Sequence, residues 1–516
     1  YYSLWRVLKD RLCATLGSIL YIFSIYRIFD VYRRGAMGEY LAMVFLPLII
    51  AGMYGILCID KEGGAEREFK SSYALLAAGM SALIYSHVLS VEMMGIFLVL
   101  LCIFMVRRVI DPDRLKMILK AAVWTLLLTA GFWFPFIDMI RRDVYKVFTD
   151  MPYSAAANAL HPSNFISYFI IPASEYNPTR NFSGDYSYGI ILLLAIPVYI
   201  IIYFIELRAG KEGSDKGRKG SDKEISDNMI LSEERTGTDP YFIFVCALLA
   251  LIALFLSSVF FPWSKIENSE GILKTVLCMV QFPWRYLSVA TAFGIFPVCG
   301  IIVFISDELK KRGLWEKKRV LLYGLVLAIT IVTIIPVLAY FIKIPSHVVH
   351  QRFYDTYGVR DFKGTGMGEY EPTTFRHVDV DHTLEEIQSI MDPEGYAEHE
   401  ADGTLLSVQN YERSGTKLSM VVINTAPEER ILYLPRLYYY GYSVSNIFES
   451  EDGLLPELFE TDMGMVGLRI PAGYFNGVHI EYKEPMIYRI PELISLITLF
   501  GFAFVLIRSC RKYYRR

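Results

Sequence analysis

Ten apolar runs divide this chain, near 12–26, 38–58, 72–90, 93–106, 117–138, 189–206, 240–261, 282–305, 320–343 and 487–507. A helix needs about 20 apolar residues to cross a bilayer, and most of these runs approach that length with their charges at the flanks. The pattern predicts a polytopic α-helical membrane protein of about ten spans. Between 344 and 484 the pattern changes. Lys417–Asn424, Arg430–Pro435, Tyr442–Phe448, Met465–Ile470 and Gly477–Tyr482 are short, rich in β-branched and aromatic residues, and separated by turn residues. They predict a small antiparallel, sandwich-like β domain. One helix is expected before it at 384–391, where Leu384, Ile387 and Met391 recur at helical spacing. The expected organisation is a transmembrane core over 1–343, the β-rich domain over 344–484, and a last span with a basic tail over 485–516.

Orientation follows from Lys and Arg. The segments 1–11, 59–71, 107–116, 207–239, 306–319 and 508–516 are rich in them, and short cytoplasmic loops carry that excess. Both ends of the chain are therefore expected on the cytoplasmic side. The loops 27–37, 86–92, 139–188 and 262–281 and the β domain are expected outside. Within the cytoplasmic part, 211–223 repeats Gly-Ser-Asp-Lys without large apolar residues, so 208–238 reads as a disordered linker. The outer loop 139–188 is rich in Tyr and Phe and carries four prolines, which suits short structured turns at a membrane surface.

Composition agrees with a membrane protein: 516 residues, 53% hydrophobic, mean hydropathy +0.34. The net charge of −3 is spread over loops and the β segment rather than gathered on one basic face, which gives no footprint for nucleic acid. The chain begins at Tyr1 with no secretory signal pattern, and we read its true start as lying upstream. None of its seven cysteines falls in 344–484, and no CxxC pair occurs, so neither a disulfide framework nor a cysteine metal site is expected.

The candidate chemistry lies in the outer loops. Arg27, Arg33 and Arg34 occupy a short loop of the kind that ordinarily avoids cations, together with Asp30 and Glu39. Forked guanidinium groups suit phosphate, and the two acids could take a proton or hold a divalent metal ion. If the flanking helices extend into the loop, Arg27 shares a face with Asp30 and Arg34. The plainer account is that the arginines pair with the acids and with lipid headgroups. Gln281-Phe-Pro-Trp284-Arg285-Tyr286 opens the eighth run. Its proline suits a helix's first turn and its arginine adds to the positive helix end, which makes either an anion site or an interfacial anchor. His87 and Glu92 share a tight outer turn and could form an acid–base pair, while a helix cap explains His87 as well. His161, His347 and His350 have too few partners for zinc, and no metal site is assigned.

The order of several short motifs resembles that of the YfhO-like bacterial membrane proteins. These are Tyr32-Arg-Arg-Gly-Ala-Met-Gly-Glu39 before an apolar span containing Pro47, the Ser86-His87 turn, Gln281–Arg285, Gly368-Glu-Tyr370, and Leu434–Tyr442 with Pro471-Ala-Gly473. Part of that group is labelled "6-pyruvoyl-tetrahydropterin synthase-related", an activity to which no residue here points. The resemblance covers nearly the whole chain and implies a fold like that of the GT-C glycosyltransferases. Such enzymes take a sugar from a polyprenyl-phosphate carrier at the outer membrane face and carry an acid in their first outer loop, a part expected upstream of Tyr1.

On that resemblance Asp30, Glu39, Glu92 and His87 are the catalytic candidates, and Arg27, Arg33, Arg34 and Arg285 the donor-phosphate candidates. Trp284, Tyr438 and Tyr440 would receive an envelope glycan or polymer acceptor. Two other classes stay open. A transporter or flippase for lipid-linked glycan would need a polar path, whereas the spans are mostly apolar. A non-catalytic assembly protein would use its outer domain to bind glycan. The chain has no GxxxxGK[ST] phosphate loop for an ATP-driven pump.

Overall fold

The computed structural model describes residues 1–32, 34–62, 65–142, 154–166, 186–217, 239–343, 406–449, 453–462 and 464–514. They are mostly helical, with a small antiparallel β region, and the chain divides into two compact units. The first unit is Tyr1–Thr129, Tyr153–Val348 and Leu496–Arg516; the second is Ala130–Pro152 and Val349–Ser495.

The helices run α1 (Tyr2–Leu8), α2 (Arg11–Ile22), α3 (Ile25–Tyr32), α4 (Met37–Leu57), α5 (Glu66–Ser86), α6 (Val88–Phe104), α7 (Val106–Val109), α8 (Pro112–Leu128) and α9 (Ala130–Arg142). They continue with α10 (Ile190–Gly217), α11 (Pro240–Ser257), α12 (Trp263–Glu267), α13 (Ile272–Cys278), α14 (Tyr286–Lys311), α15 (Trp315–Lys343) and α16 (Met486–Tyr514).

Among the described residues, six segments are long and apolar enough to cross a membrane: Met37–Leu57, Ile190–Arg208, Pro240–Ser257, Pro283–Lys311, Trp315–Leu338 and Met486–Arg508. The number rises to 8 if α2 with α3, and α8 with α9, each count as one broken span. That is the signature of a membrane-embedded chain. The count falls short of ten for identifiable reasons. The first turns of α5 carry Glu66, Arg67, Glu68 and Lys70, and α6 is only 17 residues long. The run near 12–26 bends by 40° between α2 and α3.

In the first unit α14 is the central helix. Every residue from Tyr286 to Gly300 is buried, and the absence of side chains at Gly294 and Gly300 lets the rings of Tyr188 and Tyr199 lie against its backbone. The Tyr188 hydroxyl donates to the Ala290 carbonyl at 3.0 Å. Helices α4 and α5 approach closely for a similar reason: a Cβ on Gly52 would lie 2.7 Å from the Leu76 backbone nitrogen, and one on Gly79 would lie 2.8 Å from Ile49 Cγ1. Small residues allow such contact between apolar helices, where dispersion replaces the hydrophobic effect as the attraction.

Helix α10 continues to Gly217, into the segment expected to be linker from 208. Glu206, Leu207, Arg208 and Ala209 are good helix formers and carry the last apolar turn onward. Residues 218–238, most of the outer loop between 143 and 185, and the expected helix at 384–391 lie outside the described residues.

The second unit contains β1 (Leu406–Ser414), β2 (Lys417–Asn424), β3 (Arg430–Leu437), β4 (Tyr442–Asn446), β5 (Glu457–Glu460), β6 (Met465–Ile470) and β7 (Phe475–Tyr482). They form a four-stranded antiparallel sheet, β1-β2-β7-β4, and a three-stranded one, β3-β6-β5. Burial alternates along β2, with Leu418, Met420 and Val422 inward, as a pleat with one buried face requires. Those three join Leu432, Leu434, Leu468, Ile470, Val478 and Ile480 in one core shared by both sheets. This is the sandwich arrangement expected for the region.

Candidate functional site

The charged loop between the first apolar runs becomes a buried junction in the first unit. Helix α3 stops at Tyr32, and the chain turns through Gly35, whose φ of +64° costs glycine nothing, before α4 begins at Met37. The Ala36 amide donates back to the Asp30 carbonyl at 3.0 Å, which folds the turn over the last turn of α3. Arg34 is thereby carried above Asp30, four residues earlier, and beside Glu39 in the first turn of α4.

The resulting contacts are dense. Arg34 Nη1 donates to Asp30 Oδ1 and to Glu39 Oε2, the latter at 2.8 Å. Glu39 Oε1 accepts from the Tyr26 hydroxyl. The Nε of Arg285, at the start of α14, lies 3.5 Å from Glu39 Oε2. Asp30 and Tyr26 are 0% exposed, Glu39 1% and Arg285 8%. Two guanidinium groups and two carboxylates thus form a charge-balanced cluster with almost no water contact. Charges so placed interact more strongly than in water, but each has lost its hydration, so their mutual geometry has to be maintained.

The strand of chain before α14 supports Arg285 from below. Its Nη1 donates to the Val280 carbonyl at 2.9 Å and to Gln281 Oε1 at 3.1 Å. Gln281 is buried with φ at +62°, a conformation unusual for a residue with a side chain and most often retained at functional positions. Trp284 stacks on Tyr186 (4.2 Å between centroids) and on Phe282 (4.8 Å), and the Arg34 guanidinium lies 4.2 Å from its ring centre. The rings of the motif read as an anion site or an anchor pack as an aromatic wall beside the charge cluster.

Not every group in this cluster is satisfied. Asp30 Oδ2, Arg285 Nε and Arg27 Nε are buried with no hydrogen-bond partner among the described residues. Arg27 does not join Asp30 and Arg34 on one face, as the spacing suggested. Its guanidinium faces the rings of Tyr40 (4.5 Å) and Tyr21 (5.3 Å). The reason is the stop at Tyr32: the turn returns Arg34 to the Tyr26–Asp30 face, one position round from Arg27. Arg33 lies outside the described residues.

His87 and Glu92 do not form an acid–base pair. His87 caps α6: its Nδ1 accepts from the Ser90 amide at 3.3 Å and lies 2.9 Å from the Ser90 hydroxyl. Burial pushes the imidazole down to about 4, which keeps it neutral at pH 7 and suited to accepting as a cap. Gly38 lets the cap approach α4, since a Cβ there would lie 3.1 Å from the Ser86 carbonyl. Both carboxylate oxygens of Glu92 are buried without a hydrogen-bond partner among the described residues.

Tyr438 and Tyr440 belong to the second unit, whereas the other candidates belong to the first. Strand β3 ends at Leu437, so the aromatic run is a turn, and strand alternation does not set its ring directions. Tyr438 packs on the β core, whereas Tyr440 is 42% exposed with Arg142 stacked 3.8 Å over its ring. Among the described residues no three His, Cys, Asp or Glu side chains converge as a metal site.

Tyr26 was not singled out in the sequence. Its signal is the i, i+4, i+8 series Tyr26, Asp30, Arg34, which puts a phenol beside two charges. No family model matches this chain, nor does any curated protein or solved structure.

Proposed function

We propose that this chain is a membrane glycosyltransferase-like protein. It would take a sugar from a polyprenyl-phosphate carrier at the outer membrane face and pass it to a cell-envelope glycan or polymer. The observation that carries this reading is the buried cluster of Asp30, Arg34, Glu39 and Arg285 with valences left open at Asp30 Oδ2 and Arg285 Nε. Ionisable groups among membrane helices are costly, and function is the default reason for their presence. The motif order shared with YfhO-like proteins and the Lys and Arg distribution along the loops support the same reading.

In this reading Arg34 serves less as a phosphate grip than as the group that holds both carboxylates in place. Asp30 Oδ2, open and buried, is the atom to accept the proton of an acceptor hydroxyl as it attacks the sugar carbon that bears the phosphate. The donor phosphate falls to Arg27, which has no acid against it among the described residues, and to Arg285, whose Nε lies 3.5 Å from Glu39 Oε2 without a hydrogen bond. Glu39 is fixed by Tyr26 and the two arginines, and Trp284 is a wall rather than a free platform. Of the two tyrosines proposed for the acceptor, Tyr440 is the one with exposed surface to offer a glycan, beside Arg142.

The experiment is a comparison of envelope polymers, by mass or NMR analysis of sugar substituents, from cells with and without the full-length protein. Loss of one sugar from a polymer that still reaches the surface is the expected result. Polymer retained inside the cell with its substituents intact would instead favour carriage of the glycan without chemistry.

A further inference from the structure

A cleft in the first unit takes no part in the charge cluster. It opens between the break that follows α2, the start of α10 and the Val332–Pro336 stretch of α15, with about 330 Å³ of open space and no charged residue in its wall. Three wall residues carry hydroxyls. Those of Tyr188 and Thr333 donate to the carbonyls of Ala290 and Ile329, at 3.0 and 2.9 Å. Ser24 is 4% exposed, and its hydroxyl has no hydrogen-bond partner among the described residues. The start of α10 adds backbone donors. At Gly189, with φ at +99°, the chain turns, the Tyr188 and Gly189 amides both reach the Phe165 carbonyl, and the first bond inside the helix runs from the Leu193 amide to the Gly189 carbonyl. The amides of Ile190, Ile191 and Leu192, all wall residues of the cleft, precede that bond at the positive end of the helix.

We infer that this cleft binds the phosphate of a bilayer phospholipid. A buried hydroxyl left without a bond costs more than the bond is worth, and a helix N-terminus with free amides is an anion site. The place of the cleft selects the molecule that carries the anion. The apolar spans Ile190–Arg208 and Trp315–Leu338 respectively begin and end beside it, which puts it at headgroup level, and most of each span is unburied within the protein and so faces lipid. A phospholipid there would set its phosphate against Ser24 and the α10 amides, with its acyl chains on the apolar surface of those spans, where Leu194 of α10 and Ile335 of α15 are exposed. It would tie the α2–α3 break, α10 and α15 together. None of Asp30, Arg34, Glu39 and Arg285 lines the cleft, so this site does not depend on the reading of the protein as a sugar transferase.

The test is the binding of three lipids to the purified full-length protein in detergent, read by native mass spectrometry: dioleoylphosphatidylglycerol, dioleoylglycerol and polyprenyl phosphate. The phospholipid is expected to bind at least about tenfold more tightly than dioleoylglycerol, which has the same chains and no phosphate. Ser24→Ala is expected to weaken the phospholipid about tenfold and to leave polyprenyl phosphate, held at the charge cluster, unchanged. The variant loses an unpaired buried hydroxyl, so without lipid its melting temperature is expected at or above that of wild type, and lost affinity then reports recognition rather than unfolding. Val332→Phe, which fills the cleft, is expected to abolish phospholipid binding. Equal affinity for the two dioleoyl lipids, or wild-type affinity in both variants, overturns the site. Displacement of the phospholipid by inorganic phosphate at comparable concentration assigns the cleft to the free ion and overturns the lipid, and a Ser24→Ala loss confined to polyprenyl phosphate assigns it to the carrier and does the same. A wild type that binds the phospholipid at the cleft but no polyprenyl phosphate supports this inference and overturns the proposed function.

Discussion

Replacing Asp30 with Asn is expected to lower sugar transfer about 10²–10⁴-fold, the usual worth of a positioned general base. The amide keeps the shape of the side chain and still offers Arg34 an acceptor, so the fold is expected to survive. Only the ability of Oδ2 to take a proton is lost. The measurement is the rate at which labelled sugar leaves a polyprenyl-phosphate donor for an envelope fraction, in membranes holding wild type or variant at equal amounts. A Glu39→Gln variant separates the two acids. Glu39 has the Tyr26 hydroxyl on one oxygen and Arg34 and Arg285 on the other, so its replacement disturbs the arrangement of the site rather than removing its base. A rate for Asp30→Asn within about threefold of wild type would deny it the role of a general base.

Removing the Arg34 guanidinium has the largest expected effect on stability. In Arg34→Met the carboxylates of Asp30 and Glu39 lose their shared cation in a place without water. Breaking one partner out of a buried ion pair costs about 3–5 kcal/mol, because it leaves a charge uncompensated. Fluorescence-monitored unfolding of the purified protein should report this, since Trp284 is buried in the folded protein beside Arg34 and becomes exposed on unfolding. The cost belongs to the stranded charge. Adding Asp30→Asn and Glu39→Gln to Arg34→Met is therefore expected to recover most of the stability, although not the activity. An Arg34→Met protein as stable as wild type would mean that the cluster is open to water and that the buried network described here does not hold.

What the sequence made legible, and what it hid, follows the range of the interactions involved. Lys417–Asn424 could be read to its last residue because alternation along a half-buried strand is a local signal. Strand β1 was hidden by Gln409, Asn410, Glu412 and Arg413, around an irregularity that interrupts its pairing with β2. Strand β5 is four residues with Glu at both ends, too short for any pattern. The break between α2 and α3 merged with one apolar run because Phe23 and Ser24 carry no breaker.

The candidate site was legible as a list of residues more than as an arrangement. Asp30, Arg34, Glu39 and Arg285 could each be singled out from charge at an apolar boundary. That Arg285 would reach Glu39 is a tertiary fact no spacing encodes. The misplacement of Arg27 has a local cause: the helix ended before its face could be completed. Gln281 drew notice only as part of an aromatic motif, while its backbone conformation, which supports Arg285, is visible only in three dimensions.

The most direct test of the central claim is the binding of polyprenyl phosphate against polyprenol by the purified full-length protein in nanodiscs. The two lipids share their chain and differ only in the phosphate. If Arg285 and Arg27 receive that phosphate beside the Asp30 and Glu39 carboxylates, the protein binds the phosphate form at least about tenfold more tightly, as a charge-assisted contact in a dry site should give. Equal affinity for the two lipids would contradict the account and leave the cluster as a structural ion network.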